Sequence, residues 1–111
     1  MRYEPHPGVD YVGVPGQDVV SPVDGLVKRW GVPYAGEEYK LIVIEVAPGL
    51  TVKMLYLEPA LSTIRNHVSA GQYVGEMQDV SPMYEGITPH VHVSVYLNGF
   101  PIDPTNWLPG G

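Results

Sequence analysis

Four histidines, at positions 6, 67, 90 and 92, are the side chains of this 111-residue sequence best suited to metal or proton chemistry. His6-Pro7-Gly8-Val9-Asp10 sets an imidazole and a carboxylate close in sequence. The Pro-Gly between them forbids a helix, so the pair must converge through a turn. His90-Val91-His92 heads an alternating run, where residues two apart project from the same face of a strand. His6, Asp10 and one of the His90/His92 pair would supply three ligands to a tetrahedral zinc, leaving the fourth position to water as in catalytic sites. The remaining histidine would then act as general base or electrophile, and the chemistry would be metal-assisted hydrolysis. Spacing alone leaves a second reading open: a solvated N-terminal histidine, a turn aspartate and a His-x-His on an ordinary strand.

The elements that must position these groups read as short strands. With 13 glycines and 12 prolines, the chain carries about twice the usual share of residues that break helix interiors. Period-two patterning predicts strands over Val19–Val20, Gly25–Trp30, Tyr39–Val46, Thr51–Leu57, Tyr73–Met77 and Val91–Leu97. Asn98-Gly99 after the last of these is a hairpin signal. One short helix is expected over Pro59–Asn66, with Leu61, Ile64 and Val68 on its apolar side. The fold class expected is all-β, a compact sandwich or barrel forming a single domain over residues 1–111.

Composition narrows the partners. The sequence has no cysteine, so any metal must be held by nitrogen and oxygen. A formal charge of −6 argues against nucleic acid. The longest apolar stretch, Leu41–Ile44, is too short to cross a bilayer, and Met1–Pro5 lacks the apolar run of a signal peptide. These features lead to the expectation of a protein made in the cytoplasm without membrane insertion.

Several motifs resemble, nearly end to end, the lysostaphin/LytM-type zinc metallopeptidases, which cleave peptide cross-links of bacterial peptidoglycan. His6-Pro7-Gly8-Val9-Asp10 is similar to the family's His-x-Gly-x-Asp. GQDVVSPVDGLV over Gly16–Val27 and HVSAGQYVG over His67–Gly75 resemble two further stretches. Thr88-Pro89-His90-Val91-His92, the Asn98-Gly99 turn and Asp103-Pro104-Thr105-Asn106-Trp107-Leu108 resemble the Pro-His-Leu-His strand and the family's ending.

The resemblance implies a barrel-sandwich hybrid of antiparallel strands, with Zn2+ held by His6, Asp10 and His92 and with His90 as a catalytic histidine. It implies a peptidoglycan peptide as substrate. A wall hydrolase without an encoded leader would act at the cell wall or periplasm, or on a virion, and points to a phage product or to a larger phage or envelope assembly. One position departs from the pattern: the family's Tyr-x-His-Leu reads Met54-Leu55-Tyr56-Leu57 here, so Tyr56 stands where a second catalytic histidine is usual. A phenol can donate to an oxyanion, but with a reference pKa of about 10 it is a poor base near neutrality. Val52, Met54 and Tyr56 are expected on one side of their strand, and either a packing or a catalytic role suits Tyr56. The departure also admits an impaired relative that serves as a structural or wall-binding component. Trp30, Tyr34 and Trp107 are candidates to line a substrate groove. SPVDGLV and AGQYVG bear a weaker likeness to lipoyl, biotinyl and phosphotransferase carrier domains, but Lys53-Met54 lies inside an alternating strand rather than at a hairpin tip.

Overall fold

The computed structural model describes residues 8–33, 38–82, 86 and 88–108 and is built almost wholly of antiparallel strands. These are β1 Val9–Val12, β2 Asp18–Val20, β3 Gly25–Gly31, β4 Leu41–Ala47, β5 Leu50–Leu55, β6 Leu57–Pro59, β7 His67–Val68, β8 Tyr73–Met77, β9 His90–Leu97 and β10 Phe100–Ile102. The larger sheet runs β1-β9-β5-β4-β3-β7, with β10 continuing beside β9, and a smaller sheet runs β2-β8-β6. Neither sheet closes into a barrel, so the all-β fold takes the open sandwich form. No helix among the described residues is long and apolar enough to cross a membrane.

Alternation explains which side of the large sheet meets the core. Val91, Val93 and Val95 of β9 and Val52 and Met54 of β5 are almost fully buried. With Val27, Ile42 and Ile44 they pack against Val19, Leu57, Val74 and Met77 of the small sheet. The pairings Leu55↔His92 and Lys53↔Ser94 therefore put those four residues on the opposite face. At the far end of β9, Asn98 and Gly99 adopt φ of 51° and 87° and close the hairpin to β10, as the Asn-Gly signal predicts.

Two expected elements are corrected. The helix over Pro59–Asn66 is only a 3-10 turn, Leu61–Thr63. Pro59 ends β6, Leu61 is exposed, and Arg65 turns left-handed with φ of 70°. Thr63 Oγ1 donates to the Ala60 carbonyl and Asn66 Nδ2 to the Ser62 carbonyl. Such side-chain bonds compete with helix propagation in a segment too short to sustain it.

The strand expected over Thr51–Leu57 breaks at Tyr56, whose φ is 76°. There the chain leaves the large sheet at Leu55 and enters the small one at Leu57. A loop of hydrogen bonds fixes the corner: Tyr56 N–H donates to the Lys40 carbonyl at 2.8 Å, Gln78 N–H to the Tyr56 carbonyl at 2.9 Å, and Lys40 N–H to Gln78 Oε1 at 2.9 Å.

Candidate active site

The site forms where β1 pairs with the first half of β9. Asp10 lies directly opposite His92 in the ladder, and cross-strand partners on one face approach closely enough for their side chains to meet. His92 Nδ1 is 2.6 Å from Asp10 Oδ1. His90, one pleat repeat away on the same face, brings Nε2 to 3.9 Å from the same oxygen. Its Nδ1 lies 2.9 Å from the Thr88 carbonyl. A carbonyl only accepts, so His90 Nδ1 carries a proton there and Nε2 is left facing Asp10. The His90 side chain is only 10% exposed, against 29% for His92 and 55% for Asp10, so the open end of the site is the carboxylate.

Tyr56 arrives at this site by a different route from the one alternation predicts. Val52 and Met54 point into the core, whereas the left-handed corner turns Tyr56 against His90. The two rings meet edge to face at 82°, with centroids 5.4 Å apart, and Tyr39 meets Tyr56 similarly at 5.8 Å. On the other face of β1, burial pushes the Tyr11 phenol above its ordinary value. Tyr11 thus stays neutral around neutral pH and adds no charge behind Asp10.

Of the five site residues read from the sequence, Asp10, Tyr56, His90 and His92 are brought together, and His6 lies outside the described residues. Among the described residues no complete cluster of three metal-ligating side chains forms. The two zinc-ligand candidates that are described nevertheless fit a metal chemically. A carboxylate oxygen and an imidazole nitrogen converge on one proton, and replacing such a proton is how these groups bind zinc.

Tyr56, His90 and His92 open on a groove of about 490 Å³, whose floor continues along Leu55, Lys53, Ser94 and Tyr96. Ser94 and Tyr96 escaped the sequence reading, although the alternation that projects His90 and His92 together extends to them, and Lys53 entered it only for its weak likeness to a carrier-domain lysine. Gly8 also escaped it as a site residue. A Cβ there would lie 2.5 Å from the Val93 carbonyl and 2.8 Å from His92 Nε2, so only glycine lets the chain run this close to the His92 ring. Trp30 and Trp107 are half exposed and do not line the groove, and Tyr34 lies outside the described residues.

An open antiparallel sandwich with paired His and Asp side chains at the head of a peptide-sized groove has the architecture of an all-β peptidase domain. The chain belongs to Peptidase family M23, which it matches over residues 4–104. It is 30% identical over 104 residues to leukocyte cell-derived chemotaxin-2 of Mus musculus, covering 93% of this chain and 66% of that one. The structure is similar to a zinc-containing peptidase from Vibrio cholerae, with a TM-score of 0.65 and 27% identity over 86% of this chain and 28% of that one. It shares its fold with lysostaphin, with a TM-score of 0.70 and 23% identity over 93% of this chain and 46% of that one. The chain thus spans less than two thirds of the length of each of these three proteins.

Proposed function

We propose that the protein is a zinc-dependent endopeptidase that hydrolyses peptide cross-links of bacterial peptidoglycan, at the cell wall or within a phage or envelope assembly. The observation that carries this reading is the Asp10–His92 pair at 2.6 Å with His90 beside it at the head of a groove. Membership of a peptidase family supports hydrolysis, and the similar structure of a zinc-containing peptidase supports the metal.

Asp10 and His92, together with His6, would hold the zinc. Bound there, zinc supplies a Lewis acid for the scissile carbonyl and a water whose pKa falls to about 7. His90 keeps one proton on Nδ1 through the Thr88 carbonyl and presents Nε2 to the groove, where it takes up or returns the proton of the reacting group. Tyr56 braces the His90 ring with its own and is a candidate hydrogen-bond donor to a developing oxyanion. The groove along Leu55 and Tyr96 holds an extended peptide across these groups.

Zinc analysis combined with release of soluble fragments from purified cell walls tests the reading. One zinc per chain, loss of zinc in Asp10→Ala or His92→Ala, and a drop of about 100-fold or more in rate for zinc-loaded His90→Ala are expected. A His90→Ala protein as active as the unmodified one would overturn the assigned mechanism. A second reading, an impaired relative acting as a structural or wall-binding component, is favoured by Tyr56 in place of histidine. Zinc-loaded protein that is inert on every wall preparation, and inert still as Tyr56→His, would decide for it.

A further inference from the structure

We infer that Lys53 is a specificity residue that binds a carboxylate of the substrate peptide, so that the groove selects acidic peptides; this rests on the peptidase reading above. The chain has three lysines in a background of net charge −6. Lys28 lies 3.9 Å from Glu45 and Lys40 lies 2.7 Å from Glu58. Lys53 has no carboxylate within ion-pair distance among the described residues, and its Nζ instead sits 4.8 Å from the centroid of the Tyr96 ring.

Lys53 thus differs from the other two lysines in facing a groove with no carboxylate partner among the described residues. The ring holds the ammonium in place without cancelling its charge, and among the described residues no Asp or Glu lines the groove around it.

Register fixes where the bound carboxylate would lie. Lys53 pairs with Ser94, two residues beyond His92 on β9, a step of about 7 Å along the strand. A peptide laid along the groove with its scissile bond at His92 would place a side chain or terminus one or two residues away over Lys53. An ammonium there forms a charge-assisted hydrogen bond with a carboxylate and gains nothing comparable from a carboxamide. Leu41, Leu55 and Pro101 line the same groove and set apolar surface beside the pair.

The test uses capped alanine pentapeptides carrying one Glu at each position in turn, with Gln counterparts, and measures binding and cleavage by the zinc-loaded full chain. The best Glu peptide is expected to bind about tenfold tighter than its Gln partner, with the preference shrinking as salt rises. Lys53→Met should abolish the preference and Lys53→Arg should retain most of it. Lys53→Gln serves in place of Lys53→Met if that variant does not fold. Equal binding of Glu and Gln peptides, no binding of either, or a preference that survives Lys53→Met would each overturn the inference. Cleavage without charge preference removes the role of Lys53 and leaves the peptidase reading intact. Charge-selective binding without cleavage of any peptide or wall preparation does the reverse.

Discussion

At Tyr56 the backbone and the side chain pull in opposite directions. A non-glycine residue in the left-handed region costs about 1–2 kcal/mol, and Tyr56 holds φ of 76°. The cost is offset by a ring only 6% exposed that meets Tyr39 and His90 edge to face, each such contact contributing about 0.5–1.5 kcal/mol beyond burial. Replacement by a β-branched residue removes the rings and worsens the backbone. Tyr56→Ile is therefore expected to lose about 3 kcal/mol or more, whereas Tyr56→Phe, which keeps the ring, should lose about 1 kcal/mol. Urea unfolding of the two variants checks this, and an isoleucine variant as stable as the phenylalanine one would show the corner to be unstrained. Nothing in the sequence marks this corner, because neither Gly nor Asn stands there. Period-two reading accordingly assigned Tyr56 to the face of Val52 and Met54, when a single left-handed residue carries it to His90.

Among the elements, the β1–β9 pair decides the geometry of the site, and its tightest point is Gly8. Any side chain at that position meets the Val93 carbonyl at 2.5 Å and His92 Nε2 at 2.8 Å. Backbone cannot yield as a flexible side chain does, so β1 would have to move away from β9 and take Asp10 with it. Gly8→Ala is expected to cost about 1–3 kcal/mol and to weaken zinc binding about tenfold or more by parting Asp10 from His92. Isothermal titration with zinc, alongside thermal melts, measures both. A variant with unchanged zinc affinity would mean that the close approach plays no part in the site. β9 was readable from its sequence because eight alternating residues separate a valine face from a histidine face. β1 was not, since it is short and is defined by pairing with β9 rather than by its own pattern, and β10 was announced only by the Asn98-Gly99 turn before it. In the case of β1 the partner lies far along the chain, beyond the reach of local periodicity.

For the molecule as a whole, the abundance of Gly and Pro announced a β fold, and the spaced motifs announced its family. Neither revealed that the two sheets stay open or that the chain passes from β5 of one to β6 of the other through the Tyr56–Leu57 corner. Leu57, just past that corner, is one of the small-sheet residues through which the sheets share one interior: it is fully buried, leads β6, and belongs to the same core as Val27, Ile44 and Val93 of the large sheet. A chain without cysteine has no disulfide to compensate for a loss there. Leu57→Ala should cost about 2–5 kcal/mol against a total of roughly 5–15 kcal/mol for a domain of this kind. At about 4–8 °C per kcal/mol, the melting temperature should fall by roughly 8–40 °C. Because the core is shared, both sheets should melt together, and His90 and His92 should lose their folded NMR signals at the same temperature as the residues of β8. Calorimetry that instead resolves two transitions, with β2, β6 and β8 melting first and the histidines still in place, would show that the small sheet is a dispensable cover and that the large sheet holds the site alone.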